Sequence, residues 1–153
     1  MNASDRTKPC GMAVISEIRL ATPFDYPAII RIGEAADMGL LKGFDNTFVA
    51  TNDDNEVVAF CRVRIYRDIA YVNPIVVDKT LRNHGVGAAL MKAAKERYGE
   101  LRFVARGSAT GFYSLIGCTP IAWDEIAHEV ASDCEDCEKR KACHPLPMKY
   151  PIS

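Results

Sequence analysis

The sequence has no long hydrophobic run, and this absence is the first constraint on what the chain does. Its longest apolar runs are about six residues, whereas a membrane-spanning helix needs about 20, so no membrane partner is expected. It also lacks a basic excess: 19 lysines and arginines against 20 aspartates and glutamates give a net charge of −1, which argues against nucleic acid. No secretory signal pattern is present at the start, so we predict a cytoplasmic location.

Two well-known glycine-rich nucleotide loops are also missing. A P-loop requires the pattern G-x-x-x-x-G-K-[ST], and no such run occurs in the sequence. A dinucleotide-binding loop requires G-x-G-x-x-G, but Leu90 occupies the position of the third glycine. Nucleotide-binding sites built on either loop are therefore excluded.

The hydrophobic pattern that is present predicts one mixed α/β domain. With 153 residues, 48% of them apolar, the chain can bury one sizeable core. The periodicity indicates the order β, α, several antiparallel strands, α, β, α, β, with helices on both faces of the sheet. The predicted strands cover residues 17–22, 47–52, 56–66, 69–78, 101–106 and 119–130, and the predicted helices cover 25–37, 86–98 and 108–117.

Two of these strands have features that a structure can test. The strand at 56–66 is predicted to turn alternate residues to the core, namely Val57, Ala59, Cys61, Val63 and Ile65. Arg62 and Arg64 lie on its other face, which we interpret as solvated, with binding of an acidic acceptor as the alternative. Pro74 has no backbone N–H, so the strand at 69–78 should be bulged or unpaired near its middle.

A pair of glycines stands at the predicted start of the helix 86–98. Gly85 and Gly87 follow the predicted strand 69–78 after a short loop. A helix N-terminus offers unpaired N–H groups and a partial positive charge, and glycine lets an anion approach because no Cβ blocks the way. Two glycines weaken a helix start, so the pattern favours an anion site, with a simple structural turn as the alternative.

The stretch Ile75–Met91 resembles the acyl-CoA-binding motif of the GNAT superfamily of N-acetyltransferases. The family pattern is an apolar strand, then [Q/R]-x-x-G-x-[G/A], then a helix, and Arg82, Gly85 and Gly87 stand in register with it. Lys79 stands where many members have proline. Through element order the resemblance covers residues 15–130, and it implies a mainly antiparallel central sheet, helices on both faces and a V-shaped cleft.

The resemblance also implies acetyl-CoA as cosubstrate and assigns its contacts. The pyrophosphate would be held by the backbone amides of one loop, formed by Arg82, Asn83, His84, Gly85, Val86, Gly87 and Ala88. The strand at Ile75, Val76 and Val77 would line the pantetheine arm, pairing with it through residues 75 and 77. N–H donors near Val77 would stabilise the oxyanion. We interpret the side chain of His84 as solvated.

A second segment, Ala109–Cys118, resembles the short helix that follows in the family. Tyr113 matches the tyrosine that often protonates the departing CoA thiolate, a role that suits a phenol with an unperturbed pKa of about 10. The family usually has an aromatic where Cys118 stands. The alternative is that Tyr113 only packs its helix onto the sheet. For the base that deprotonates the amine, family placement leaves open Asn73, Tyr71, Asp45 and Glu17.

Three of the six cysteines are clustered beyond the residues that the family pattern covers. Cys134-x-x-Cys137 has ligand spacing for a tetrahedral metal, and Cys143 with His144 follows, so a structural Zn²⁺ is predicted to order this segment. The fourth ligand stays open among His144, Cys118, His128 and Cys10. The alternatives are free cysteines and a Cys134–Cys137 disulfide.

The predicted organisation is a flexible N-terminal tail at 1–14, an N-acetyltransferase domain at 15–130 and a Cys-rich C-terminal extension at 131–153. The predicted activity is transfer of acetyl from acetyl-CoA to a primary amine of a small molecule, peptide or protein, by direct attack in a ternary complex. A homodimer is an open expectation. The rival functions are a non-catalytic acyl-CoA-binding or metal-sensing module and a thiol redox protein built on Cys134 and Cys137.

Overall fold

The computed structural model describes residues 15–38, 41–82, 84–135, 137 and 140–152, so the predicted N-terminal tail, Cys10 and Asn83 lie outside the described residues. The strands are β1 (Glu17–Leu20), β2 (Thr47–Thr51), β3 (Val57–Tyr66), β4 (Ile69–Val77), β5 (Leu101–Ala105), β6 (Thr119–Pro120) and β7 (Leu146–Tyr150). The α-helices are α1 (Tyr26–Ala35), α2 (Val86–Tyr98), α3 (Thr110–Leu115), α4 (His128–Glu135) and α5 (Arg140–Cys143). In this described part of the chain, none of the helices has the length and apolar character that a membrane crossing requires.

The seven strands form one sheet in the order β1-β2-β3-β4-β5-β7-β6. Strand β2 runs antiparallel to β1 and to β3, and β7 runs antiparallel to β5 and to β6. The exception is β4 with β5, a parallel pair in which Ala70 lies opposite Leu101 and Tyr71 opposite Arg102. The predicted mixed α/β class with a mainly antiparallel sheet is therefore confirmed.

The described residues divide into two compact units, one from those in the ranges 15–63 and 73–94 and the other from those in the ranges 64–72 and 95–152. Each unit has its own hydrophobic cluster. In the first, the buried residues are Ile29, Ile32, Leu41, Val49, Val57, Phe60 and Val76. In the second, they are Tyr71, Ile126, Ala127 and Val130.

The prediction of a strand across residues 119–130 is wrong. Only Thr119 and Pro120 pair with β7, and α4 begins at His128. Between them a 3-10 turn forms over Trp123–Glu125, in which the Glu125 carboxylate accepts a hydrogen bond from the Ala122 N–H at 3.1 Å. Ile126, Ala127 and Val130 are all buried in the second cluster, although only Val130 lies within α4.

Strand β7 comes from the segment assigned to the C-terminal extension, so part of that segment belongs to the sheet, while the domain division at residue 130 stays a prediction. The strand lies between β5 and β6, with Met148 opposite Phe103 and fully buried. Pro147 lies within this strand although proline cannot donate a hydrogen bond to a ladder. Burial of Met148 and Tyr150 stabilises the strand in spite of Pro147.

Strand β3 does not have the single core face that its alternation predicts. All residues from Val57 to Cys61 are buried, including Phe60 on the predicted outer face, whereas Ile65 is 49% exposed. A strand covered on both faces need not alternate. The arginines are half-buried rather than simply solvated: the Arg62 Nε donates to the Asn73 carbonyl at 2.8 Å, and Arg64 lies 3.7 Å from the Asp133 carboxylate.

Candidate functional site

Internal hydrogen bonds build the loop between β4 and α2. The Asp78 carboxylate accepts from the Thr80 N–H at 3.0 Å and from the Thr80 hydroxyl at 2.9 Å, and these bonds hold the pKa of Asp78 below its ordinary value. The Leu81 N–H donates to the Asp78 carbonyl at 2.8 Å and closes a 3-10 turn. The Asp78 N–H donates to the Val58 carbonyl at 2.9 Å, so the loop leaves the sheet at a defined point.

Gly85 turns the chain from this loop into α2. Its φ of +81° lies in the left-handed region, and a Cβ built on it would meet nothing within 4 Å. Its carbonyl accepts from the Ala89 N–H at 3.1 Å, so the N–H groups of Val86, Gly87 and Ala88 precede the first helical hydrogen bond and have no partner within the helix. N–H groups without a partner within the helix, the helix dipole and open space beside the glycine together suit an anion.

His84 is not solvated as the sequence indicated. Its side chain is half-buried, and Nδ1 is buried with no hydrogen-bond partner among the described residues. A buried polar atom left without a partner costs about 1–3 kcal/mol, so this nitrogen is suited to a ligand. Arg82, by contrast, is exposed. No local pattern distinguishes a buried loop histidine from a solvated one.

The end of β4 belongs to the same unit as the start of α2. Val76 is 4% exposed and lies in the first hydrophobic cluster, while Ile75 and Val77 are half-buried. Since side chains alternate along a strand, Ile75 and Val77 lie on the face opposite Val76. The described cosubstrate residues predicted from the sequence thus form one continuous strand–loop–helix segment.

Tyr113 lies on α3, in the second unit, and its ring packs against two aromatic rings. The ring centroids are 4.6 Å from Phe103 and 5.0 Å from Phe112. None of the residues of α3 is fully buried, and Leu115 is 88% exposed. These ring contacts support the alternative that Tyr113 packs its helix onto neighbouring residues. Its role as the acid that protonates the CoA thiolate stays a prediction.

Tyr71 is no longer a candidate for the base. It is 1% exposed, and its hydroxyl accepts from the Ala127 N–H at 2.9 Å and lies 3.5 Å from the Glu125 carbonyl. This hydroxyl therefore holds the chain just before α4. Glu17 and Asp45 are exposed, and the structure does not single out either of them.

The predicted zinc ligands lie close together along the chain without forming an ion site. Cys134 and Cys143 are half-buried, and Cys137 is exposed. Burial raises the pKa of Cys134, Arg140 lowers it, and the neighbouring thiols of Cys143 and Cys137 raise it again. Across the described ranges, no group of three or more His, Cys, Asp or Glu side chains is placed to hold a metal ion, so the fit of zinc to Cys134, Cys137, Cys143 and His144 is not supported.

Nothing in the sequence distinguishes Gly107, yet its backbone touches the end of α5. A Cβ there would lie 3.0 Å from the His144 Cβ and carbonyl oxygen and 3.1 Å from the Cys143 carbonyl oxygen. Any larger residue at this position would require the backbone around His144 to shift. The Gly107 carbonyl also accepts from the Thr110 hydroxyl at 3.0 Å, so the chain leading into α3 packs directly against the residues after α5.

Comparison with known proteins agrees with the strand–loop–helix segment. The model of the acetyltransferase (GNAT) family matches residues 6–117. An uncharacterised N-acetyltransferase from Chlorobaculum tepidum is 26% identical over 155 residues, covering 92% of this chain and 97% of the relative.

Two solved structures share the fold. The N-acetylglutamate synthase of Neisseria gonorrhoeae, complexed with coenzyme A and N-acetyl-glutamate, matches with a TM-score of 0.73 at 12% identity, covering 90% of this chain but 35% of that longer chain. Rv2747 from Mycobacterium tuberculosis, in complex with CoA, matches with a TM-score of 0.69 at 18% identity, covering 90% of this chain and all of the other. The family match spans well over half of the sequence, so the chain belongs to the acetyltransferase (GNAT) family and is an N-acetyltransferase of that family.

Proposed function

We propose that this N-acetyltransferase binds acetyl-CoA at the start of α2 and transfers the acetyl group to a primary amine by direct attack in a ternary complex. The observation that carries the proposal is Gly85, whose φ of +81° and open surroundings lie directly before the N-terminus of α2, the end of a helix that favours a phosphate. Both solved neighbours named above contain coenzyme A, which supports the same cosubstrate here.

In this proposal the chain holds the cosubstrate mainly through its backbone. The N–H groups of Val86, Gly87 and Ala88 donate to the pyrophosphate, and Nδ1 of His84 supplies a further hydrogen bond. The strand backbone at Ile75 and Val77 pairs with the pantetheine arm. Arg82 and Asn83 complete the loop, with Arg82 exposed to a negatively charged ligand.

The chemical step then needs little besides positioning and two proton transfers. The amine nitrogen attacks the thioester carbonyl, the carbon–sulfur bond breaks, and an N–H near Val77 stabilises the oxyanion. Tyr113 donates its proton to the departing thiolate, and the proton lost by the amine passes to a base or water.

The acceptor we propose is a primary amine of a small molecule, a peptide or a protein. One solved neighbour was determined with an acetylated amino acid, N-acetyl-glutamate, so free amino acids are the first class to test and peptide N-termini the second. A cytoplasmic location and a homodimer remain predictions.

The decisive experiment is an acetyl-CoA turnover screen across amine classes, measured by release of the CoA thiol, with acetyl-CoA binding measured in parallel by calorimetry. We expect binding and turnover with at least one amine class. Binding without turnover on any amine would favour the non-catalytic acyl-CoA-binding module. Absence of binding would remove the proposal.

The acid role of Tyr113 is tested by Tyr113→Phe. We expect kcat to fall about a hundredfold, as for loss of a general acid, with the Kd for acetyl-CoA unchanged. Tyr26→Phe is the matched control, because the Tyr26 hydroxyl donates to the Leu41 carbonyl at 2.6 Å and accepts from the Gly43 N–H at 3.2 Å. Its loss should lower stability and leave kcat unchanged. An unchanged kcat for Tyr113→Phe would leave Tyr113 as a packing residue.

A further inference from the structure

The C-terminal end of α4 brings two thiols, Cys134 within the helix and Cys137 just beyond it, to the ends of one turn. The Cys137 N–H donates to the Cys134 carbonyl at 3.2 Å. A turn closed by such a bond keeps the two Cα atoms within about 7 Å of each other. A disulfide requires a Cα separation of about 4.4–6.8 Å. The turn therefore holds Cys134 and Cys137 in the range that a disulfide needs.

The described cysteines differ in their access to solvent. Cys137 is exposed and Cys134 is half-buried, whereas Cys61 and Cys118 are 0% and 3% exposed. Cys143 ends α5, where its carbonyl oxygen lies against Gly107. A dissolved oxidant therefore meets Cys137 first, and the thiol that shares a turn with it is Cys134.

We propose that Cys134 and Cys137 are a redox-active dithiol that a low-molecular-weight disulfide oxidises to an intramolecular disulfide. The thiolate of Cys137 attacks one sulfur of the oxidant, which forms a mixed disulfide and releases one thiolate. The thiolate of Cys134, its proton lost to solvent, then attacks the Cys137 sulfur and releases the second thiol. Two protein thiols are oxidised while one disulfide is reduced to two thiols, so electrons and protons balance.

A dithiol requires less of the structure than the metal site predicted from the same residues. A tetrahedral zinc site needs three or four ligands around one ion, and the described residues contain no such group. A disulfide needs only two sulfur atoms, which the turn supplies. A disulfide with an exposed cysteine belongs to the labile, easily reduced class, so the reaction is reversible.

The chain has a built-in reporter for this turn. The Arg140 guanidinium lies 5.1 Å from the ring centroid of Trp123, the single tryptophan of the sequence. The Arg140 N–H donates to the Cys137 carbonyl at 3.2 Å, so Arg140 is bonded directly to the turn. Closing the disulfide is therefore expected to change Trp123 fluorescence, and this readout is independent of the proposed acetyl transfer.

The test is a redox titration of the full-length protein with glutathione and glutathione disulfide at fixed total glutathione. We expect the peptide that contains Cys134 and Cys137 to lose two hydrogens in mass, with a change in Trp123 emission at the same midpoint, both reversed by dithiothreitol. Cys134→Ser should retain glutathione on Cys137, because the second thiol is missing. Cys143→Ser is the matched control and should behave like the parent.

Three results would overturn the proposal. The first is a glutathione adduct that persists on Cys137 in the parent protein. The second is a disulfide from either cysteine to Cys143. The third is one tightly bound zinc per purified chain that is lost in Cys134→Ser, Cys137→Ser and Cys143→Ser alike, which would assign the three thiols to a metal. Disulfide mapping and metal analysis of the parent decide the matter even where a variant fails to fold.

Discussion

Two motifs stand out in the sequence, the glycine loop (Asp78–Ala88) and the cysteine segment (Cys134–His144), and they differ in how their function is encoded. In the proposed function the glycine loop acts through backbone N–H groups, whose positions follow from the left-handed φ of Gly85 and the start of α2. A metal site in the cysteine segment would act through sulfur atoms, which must meet at fixed distances around one ion. The described residues show the first arrangement and no ion-binding group of the second kind.

This difference shows which kinds of site can be inferred from the spacing of residues along the sequence. A backbone motif needs only a few consecutive residues to adopt their favoured conformations, and glycine at a left-handed position is strongly specified. A ligand set of side chains depends on where several segments end in space. The spacing of Cys134 and Cys137 predicts that the two residues share a turn. A shared turn supports a pair of neighbouring thiols, but it does not supply a set of metal ligands.

The largest expected effect is on the glycine loop. Gly85→Val places a branched side chain in the open space before α2, where we propose that the pyrophosphate binds, and is expected to weaken acetyl-CoA binding by about 3 kcal/mol, roughly a hundredfold in Kd. Gly43→Val is the matched control, because Gly43 has a φ of +85° against +81° at Gly85, and neither Cβ would meet an atom within 4 Å. Calorimetry with acetyl-CoA measures the Kd of each variant, and denaturant unfolding measures the free energy of unfolding of each variant.

Both glycine variants should lose similar stability, about 1–2 kcal/mol, since each forces a branched residue into the left-handed region. Only Gly85→Val should also lose affinity for acetyl-CoA. Equal affinity losses in the two variants would mean that Gly85 serves only as a turn, and the contrast between the two motifs would disappear.

The fold could be predicted from the sequence wherever local pattern determines it. The helix α1 follows from the spacing of Ile29 and Ile32, and the hairpin between β3 and β4 follows from a two-residue turn at Arg67 and Asp68, which have φ values of +52° and +66°. The strand β7 could not be predicted, because it pairs with β5, a distant part of the chain, and contains Pro147.

The same limit applies to the candidate site. The glycine loop was recognisable because its residues are consecutive. The burial of His84 Nδ1 and the contact of Gly107 with His144 depend on tertiary packing, which no local pattern reports. In the cysteine segment, the ligand spacing was visible in the sequence, while the path of the chain between the thiols was not.

The next effect concerns the packing of the cysteine segment. Gly107→Ala puts a methyl group 3.0 Å from the His144 carbonyl oxygen, and we expect it to lower the free energy of unfolding by about 2 kcal/mol, the usual cost of overpacking. Gly111→Ala is the matched control, because Gly111 lies in α3 and a Cβ there meets nothing within 4 Å. Alanine should stabilise that helix by up to about 1 kcal/mol.

Urea unfolding of both variants measures this difference directly. If Gly107→Ala lowers the free energy of unfolding and Gly111→Ala raises it, the residues after α5 are in close contact with the chain before α3. If Gly107→Ala is as stable as the parent, the close contact with His144 does not exist, and the cysteine segment is less constrained than described.

The smallest expected effect distinguishes the contribution of the His84 side chain to acetyl-CoA binding from that of the backbone N–H groups of the glycine loop. His84→Ala removes the ring whose buried Nδ1 has no partner in the described part of the chain, and we expect it to weaken acetyl-CoA binding by about 1 kcal/mol, roughly fivefold in Kd. His128→Ala, at the exposed start of α4, is the matched control and should bind like the parent. Calorimetry at one pH and salt concentration measures both. If His84→Ala binds acetyl-CoA as tightly as the parent, the backbone N–H groups of α2 suffice and His84 has no part in the site.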